Sequence, residues 1–232
     1  MYKKRLGELL GEVEDWFIAA RAAREGEAPV PEMPTYPAEL RPRIGNRQPT
    51  MLYNAMIHPI VPFALRGAIW YQGEANVREG MVYMEKMKAL IRGWRDLWPD
   101  GAFPFYYVQI APYTYRGAPT TRLPEFWEAQ TAAMEIPNTG MVVIHDVGNV
   151  SDIHPRNKQE VGRRLALWAL AKTYGRKGLV YSGPLYRSMQ IKGDKIRLRF
   201  DHVGGGLKTR NGEAPDYFEV IDRDRAGFLK AE

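Results

Sequence analysis

The 232-residue chain is 45% hydrophobic and carries a formal net charge of +6. This composition supports one substantial core and excludes a disordered protein. No apolar run reaches the roughly 18 residues that a membrane span needs, and acidic residues interrupt the basic start before a signal-peptide core can form. Cysteine is absent. We therefore expect no membrane partner, no disulfide and no thiolate chemistry, while the compartment stays open.

A helix and a proline-rich arm are predicted first. Apolar residues from Leu6 to Ala20 recur at three- and four-residue spacing, which predicts an amphipathic helix within residues 1–27. Residues 28–49 then contain six prolines, too many for regular structure. We expect this segment to be an extended arm.

Residues 50–178 alternate between strand and helix patterns. Short aromatic or β-branched runs, bounded by Gly or Pro, predict buried strands at 65–71, 103–111 and 140–146. Apolar residues at helical spacing follow each run. This order implies right-handed crossovers onto a parallel sheet covered on both faces, the arrangement of an α/β domain.

The pattern changes again in residues 179–232. Gly193 and Asp194 form a turn signal between two short alternating runs, and the segment DYFEVID offers a further strand. We predict an antiparallel β appendage here.

Polar residues end the first predicted strand. Gln72, Gly73, Glu74 and Asn76 follow it directly, and ligands bind at the carboxyl ends of strands in an open parallel sheet. The Gln72 amide can donate to a developing oxyanion, Gly73 lets the backbone approach a ligand, and Glu74 can orient a group or accept a proton. The alternative is a polar loop in which Glu74 or Asn76 caps the next helix.

A second polar cluster follows the strand predicted at 140–146. Asn157 and Glu160 form a plausible capping pair, which places Asp152 and His154 in the loop before a helix. Two residues apart on extended backbone, these two side chains share a face, and the carboxylate can orient the imidazole. The alternative is a surface histidine and a turn-forming aspartate.

Metal and nucleic-acid chemistry are the competing interpretations. The histidines show no ligand spacing, so we predict no metal, although His145 followed by Asp146 could ligate one. Residues 156–210 contain fourteen Lys and Arg but three acidic residues, and this positive charge could attract nucleic acid. No recognised motif interleaves aromatic and basic residues, so we expect no nucleic-acid partner.

Several segments of the chain resemble the sialate O-acetylesterases, carbohydrate esterases of the SGNH hydrolase superfamily. The most specific are WYQGEAN and DIHPRNK, with FYYVQIAPY, LPEFWEAQ and GGGLKTRNGEAPDYFEV in support. The resemblance implies a flavodoxin-like α/β sheet and removal of acetyl groups from O-acetylated sialic acids or related sugars. It implies no metal or organic cofactor. An acetylxylan-type esterase would use the same chemistry.

The resemblance also assigns roles to the second cluster. His154 would be the general base that activates a serine and later protonates the leaving sugar hydroxyl. Asp152 would hold the imidazole tautomer. The superfamily often separates acid and histidine by two residues, which would put Ser151 in the acid position. Related esterases can draw their acid from the motif that contains Glu74, so Glu74 stays open as an alternative acid.

In the first cluster, the resemblance places Gln72 and Gly73 where the tetrahedral oxyanion is stabilised, with Asn76 as a weaker candidate. The family nucleophile lies in a GQSN-like motif after the first strand, and Ser151, Ser182 and Ser188 do not occupy such a motif.

We therefore expect a fragment of a longer esterase. Its first strand or strands and its nucleophile would lie before Met1, and its appendage would be partial. Its partners would be an O-acetylated sugar and the missing N-terminal part of the enzyme. Alone, it should be nearly inactive and present an exposed sheet edge. The alternative from another class is a non-catalytic carbohydrate-binding relative that has truly lost the serine.

Overall fold

The computed structural model describes residues 2–37, 50–61, 63–99, 101–209, 211–214, 218–221 and 228–230. Contacts divide the chain into two compact units, residues 1–63 and 64–232. The four segments expected from the sequence stay a prediction: 1–27, 28–49, 50–178 and 179–232. Within the predicted arm, residues 38–49 lie outside the described residues.

The first unit begins with helix α1 (Tyr2–Glu25), where the apolar spacing predicts one. The indole Nε1 of Trp16 donates to the Pro31 carbonyl oxygen at 2.8 Å, which joins the segment after the helix to the helix itself. Two short helical turns, Tyr53–Ile57 and His58–Ile60, complete the unit. No helix in the described part of the chain is long and apolar enough to cross a membrane.

The second unit contains a parallel sheet in the order β1-β2-β3. Its strands coincide with the three predicted runs but are shorter, and β3 begins one residue before its run: β1 (Ala68–Trp70), β2 (Phe105–Val108) and β3 (Thr139–Val142). The helices that alternate with them are α2 (Val82–Leu97), α3 (Arg122–Ala132) and α4 (Lys158–Trp168). The α/β fold class and the parallel pairing are confirmed.

Helices cover both faces of the central strand β2. The Phe105 ring packs against Trp94 of α2 with 6.0 Å between ring centroids, and the Tyr107 hydroxyl donates to the Gln130 carbonyl oxygen of α3 at 2.6 Å. The alternate residues, Tyr106 and Val108, pack in the cluster that includes the buried side chains of α4. All four β2 side chains are therefore buried, which explains why this strand reads as a continuous apolar run.

Close packing against α4 requires a glycine in β3. A Cβ atom at Gly140 would lie 2.4 Å from Cε3 of Trp168. Trp168 belongs to the same buried cluster as Tyr106, with 6.0 Å between the ring centroids. The indole can lie directly on the strand only because residue 140 has no side chain.

A buried amide fixes the carboxyl end of β2. The Gln130 Oε1 accepts from the Ile110 backbone N–H at 3.0 Å, and its Nε2 donates to the Val108 carbonyl oxygen at 3.3 Å. Gln130 is 1% exposed, so these bonds satisfy polar groups that water cannot reach. They attach α3 to the point where the loop after β2 begins.

The appendage is antiparallel, as predicted. Strands β4 (Leu185–Lys192) and β5 (Lys195–Asp201) form a hairpin around Gly193 and Asp194, with Gly193 at a φ of 59°. Such a turn needs a residue that tolerates positive φ. The predicted further strand is β6 (Glu219–Ile221), which pairs with β7 (Phe228–Lys230).

Candidate active site

The loops that follow β1, β2 and β3 leave the sheet at its carboxyl edge, where they form a cleft of about 370 Å³. Each loop contributes to the lining: Glu74 and Ala75 from the first, Tyr113 and Tyr115 from the second, and Ser151, Asp152 and Ile153 from the third. The fold thus brings together Glu74 and Asp152, one carboxylate from each polar cluster predicted from the sequence. His154, Gln72, Gly73 and Asn76 do not line the cleft itself.

Gln72 is held by hydrogen bonds at both ends of its side chain. Its Nε2 donates to the Asn76 Oδ1 at 2.7 Å, and its Oε1 accepts from the Tyr83 hydroxyl at 3.2 Å. The same hydroxyl donates to the Gln72 carbonyl oxygen at 2.9 Å. Burial raises the pKa of Tyr83 to about 12, so the phenol stays protonated as a donor. The amide is therefore preoriented, with one N–H still available for another acceptor.

The capping alternative for the first cluster is wrong. Glu74 begins a short 3₁₀ turn (Glu74–Glu79) that has no side-chain cap, and α2 also starts without one. Gly73 has a packing reason to be glycine: a Cβ there would lie 2.8 Å from Ile110 Cγ2 and 2.9 Å from Phe126 Cε1. The loop can pack this closely on the core only without a side chain at residue 73.

Asp152 and His154 are in contact, but not through extended backbone. The Asp152 Oδ1 accepts from the His154 backbone N–H at 2.9 Å and lies 3.3 Å from His154 Nδ1. This is an aspartate turn, because the carboxylate bonds to the backbone two residues later. The extended geometry expected from the spacing is therefore wrong, and the turn itself brings the carboxylate to the imidazole.

The turn also favours the charged form of Asp152. The hydrogen bond from the His154 backbone, followed by contact with the imidazole, lowers the pKa of Asp152. Asp152 is therefore a carboxylate near neutral pH. The His154 side chain is 77% exposed, so most of its ring can be reached from solvent.

Ser151 adjoins this pair but bonds elsewhere. Its hydroxyl donates to the Asn149 Oδ1 at 2.7 Å, and its backbone N–H donates to the same oxygen at 3.0 Å. No hydrogen bond joins Ser151 to His154 among the residues that the structure describes.

Arg164 attaches the third loop to α4. It donates to both carboxylate oxygens of Asp146 at 2.7 Å, to Glu160 at 2.8 Å and to the Val143 carbonyl oxygen at 2.6 Å. Hydrogen bonds from Arg163 and Arg164 lower the pKa of Glu160 to about 2. These bonds hold Asp146 against α4 and keep the Glu160 carboxylate charged.

The helix cap at the end of this loop is partly as predicted. The Asn157 side chain accepts from the Glu160 backbone N–H at 3.0 Å and so caps α4. The Glu160 carboxylate does not complete the expected reciprocal bond, because it binds the two arginines instead.

His145 is half-buried at the start of the third loop. Its ring stacks on Trp127 with 3.9 Å between centroids, and its Nε2 has no hydrogen-bond partner among the described residues. Burial lowers the pKa of His145 to about 4, so the imidazole is neutral. Within the described ranges, no group of three or more His, Cys, Asp or Glu side chains is close enough to hold a metal ion.

Sequence reasoning missed two tyrosines. Tyr113 and Tyr115 line the cleft and pack edge to face, with 4.9 Å between their ring centroids and an interplanar angle of 82°. The Tyr115 hydroxyl is buried and has no partner among the described residues. The available signal was their position, since both follow the predicted strand 103–111 at its carboxyl end.

A family model matches residues 43–171, more than half of the chain, and is described as carbohydrate esterase, sialic acid-specific acetylesterase. The sialate O-acetylesterase of Rattus norvegicus is 35% identical over 180 residues, which cover 69% of this chain and 33% of that protein. The Homo sapiens enzyme is 34% identical over 176 residues, covering 68% and 34%. The chain thus spans about a third of the length of these relatives.

A solved structure is also similar. The crystal structure of a carbohydrate acetylesterase from Xanthomonas citri superposes with a TM-score of 0.74 and 41% sequence identity. The match covers 80% of this chain and 43% of that one.

Proposed function

Because the chain belongs to the sialic acid-specific acetylesterase family of carbohydrate esterases, we propose that it supplies the general base, its orienting acid and an oxyanion donor for hydrolysis of O-acetylated sugars. The observation that supports this proposal most strongly is the contact between Asp152 and His154 at the carboxyl edge of the parallel sheet. A carboxylate beside Nδ1 of a histidine is the arrangement that acyl-transfer enzymes use to activate a hydroxyl.

In this mechanism, Asp152 accepts the Nδ1–H of His154 and so leaves Nε2 unprotonated. Nε2 takes the proton of an attacking serine hydroxyl, whose oxygen bonds to the acetyl carbon. The same imidazolium then gives its proton to the sugar oxygen as the ester bond breaks. Water repeats the sequence on the acetyl-enzyme and releases acetate. Asp152 is preferred to Glu74 as the acid because, among the residues that the structure describes, Asp152 contacts His154 and Glu74 does not.

Gln72 is the proposed side-chain donor to the tetrahedral oxyanion. A preoriented donor stabilises charge that develops in the transition state without reorganising at that moment. The bonds from Tyr83 and to Asn76 give Gln72 that fixed orientation. We assign Asn76 to positioning Gln72, and the Gly73 backbone stays a second proposed donor.

The nucleophile in this proposal is a serine outside the 232 residues. The Ser151 hydroxyl bonds to Asn149, and the Ser182 hydroxyl bonds to the neighbouring Gly183 carbonyl oxygen. Ser188 lies in the β4 strand of the appendage. These positions favour a nucleophile from another part of the same protein.

A fluorophosphonate probe, which reacts with activated serines, tests this assignment. We compare the 232-residue chain with the protein expressed from the complete reading frame that contains it. The longer protein should be labelled on a serine other than Ser151, Ser182 and Ser188. An O-acetylated sugar should protect that serine, and His154→Ala should abolish labelling.

Two results would contradict the proposal. Labelling of Ser151 in the 232-residue chain would show that the nucleophile lies in this chain. Labelling that persists at the wild-type rate in His154→Ala would remove His154 as the base. If no serine reacts in either protein and acetylated sugars still bind, the non-catalytic carbohydrate-binding alternative is correct.

A further inference from the structure

The basic bias of residues 156–210 is only partly used inside the structure. Arg163 and Arg164 of α4 bind Glu160, so their charges are compensated locally. The hairpin of β4 and β5 carries a group of cations that are not. Four of them have no ion-pair partner among the residues that the structure describes: Lys192, Lys195, Arg197 and Arg199.

The strand register places these four cations on one face of the hairpin. Lys195, Arg197 and Arg199 are alternate residues of β5, so they form a row with about 6.8 Å between neighbours. Residues paired directly across two strands share a face. The partners of the row on β4 are Lys192, Gln190 and Ser188. We call these six residues the basic face.

The opposite face of the hairpin is apolar. Its six side chains are Tyr186, Met189, Ile191, Ile196, Leu198 and Phe200. The ring centroids of Tyr186 and Phe200 lie 6.5 Å apart, which confirms that these two side chains share a face. Any protein surface that packs on the hairpin would use the apolar face, because burying unpaired cations costs far more. The basic face is therefore the outer face.

Acids of the hairpin do not balance the basic face. Lys192 and Lys195 stand directly opposite each other, and like charges in that position destabilise a strand pair. Asp201 ends β5, but it binds Arg187 at 3.4 Å. Asp194 in the turn is exposed and forms no ion pair with a described residue. An anion bound at this face would relieve the repulsion between the two lysines.

The spacing of the cations favours a polymer of moderate charge density. Duplex DNA carries one negative charge per about 1.7 Å of its axis, whereas the row has one positive charge per about 6.8 Å of strand. The six residues of the basic face include no aromatic side chain on which bases could stack. The Gln190 amide and the Ser188 hydroxyl can bond to sugar hydroxyls. A polysaccharide with one carboxylate per sugar fits these features better than a nucleic acid does.

We propose that the basic face binds a carboxylated polysaccharide at a site separate from the cleft. None of its six residues lines the cleft in the part of the chain that the structure describes. Arg197 and Arg199 would pair with carboxylates, since a planar guanidinium can donate two parallel hydrogen bonds to one carboxylate. The proposal goes beyond the proposed function, because binding at this surface requires neither a serine nor hydrolysis.

The test measures binding by isothermal titration calorimetry, with the protein expressed from the complete reading frame. Polygalacturonate is the charged ligand, and its fully methyl-esterified form has the same backbone without the charge. Duplex DNA is the nucleic-acid ligand. We expect polygalacturonate to bind, with a Kd that rises as salt screens the ion pairs, and the methyl ester to bind at least tenfold more weakly.

Two double variants locate the binding. Arg197→Gln with Arg199→Gln should raise the Kd for polygalacturonate about tenfold at low ionic strength, since each exposed ion pair contributes only modestly. Arg176→Gln with Lys177→Gln is the matched control, because it removes the same charge from exposed residues between α4 and β4. The control should change the Kd by less than about twofold. Circular dichroism verifies that both variants fold.

Several results would overturn the proposal. If both double variants weaken binding equally, net charge rather than the basic face attracts the polymer. Equal binding of the methyl ester would show that carboxylates are not recognised. If duplex DNA binds more tightly than polygalacturonate and the Arg197 and Arg199 variant loses that binding, the face belongs to nucleic acid. If polygalacturonate does not bind the wild type, the proposal fails, whereas the proposed function, tested by serine labelling, is unaffected.

Discussion

Replacing Gly140 by alanine tests the packing that supports the third loop of the site. The added methyl group would lie 2.4 Å from Trp168 Cε3, 2.7 Å from Cζ3 and 2.8 Å from Cδ2. Carbon atoms pack best about 3.5–4.0 Å apart, so the indole or the strand must move by about 1 Å. Trp168 is 5% exposed, and its neighbours in the cluster leave little room for that movement.

The expected cost is about 1–3 kcal/mol of unfolding free energy, the usual range for overpacking a core. In a protein of this size, that lowers Tm by about 2–12 °C. Gly162→Ala is the matched control, because Gly162 lies on the exposed side of α4 and a methyl group there meets nothing within 4 Å. It should raise stability by about 0.5–1 kcal/mol through helix propensity.

Urea unfolding followed by tryptophan fluorescence measures both changes, and near-UV circular dichroism reports the environment of the indole. The reasoning would be refuted if Gly140→Ala unfolded within about 0.5 kcal/mol of the wild type, which is the ordinary range for a surface change. It would also be refuted if both alanine variants changed stability in the same direction.

Two further predictions concern buried polar groups near the site. Gln130→Leu leaves the Ile110 N–H and the Val108 carbonyl without their partners. It should therefore lower the free energy of unfolding, measured in urea, by about 2–4 kcal/mol. A loss below about 1 kcal/mol would contradict this prediction. Burial lowers the pKa of His145 to about 4 from an ordinary 6.5, so the neutral ring is favoured in the folded state. The unfolded chain takes up the proton first, and stability should therefore fall as pH drops from about 6.5 to about 4, by about 3 kcal/mol. His145→Phe keeps the stack on Trp127 and should lack this part of the pH dependence. The prediction would be disproved if the unfolding free energies of the wild type and the variant changed equally with pH.

The sheet was predictable because strands buried on both faces have continuous apolar sequences. β2 is covered on both faces, so its side chains are all apolar and the run stands out between Pro104 and Pro112. Helical spacing marked α2, α3 and α4 for the same reason. The turn at Gly193 and Asp194 was visible because few residues tolerate positive φ.

The details of the site depended on contacts between distant residues, which spacing does not encode. The proximity of Asp152 to His154 was predicted, but the turn that produces it was not. Two such contacts join the first loop to helices: Gly73 packs against Phe126, and the Tyr83 hydroxyl donates a hydrogen bond to Gln72. The cleft-lining tyrosines escaped notice because aromatic residues after a strand are usually core.

The most direct test of the account is acetate release from an O-acetylated sugar by the protein expressed from the complete reading frame, with His154→Ala measured beside it. The account predicts clear hydrolysis by the wild type and a loss of about 10³-fold or more in kcat for the variant, since a catalytic base and its nucleophile act as a unit. A variant that retains the wild-type rate within about tenfold would contradict the central claim that His154 is the base.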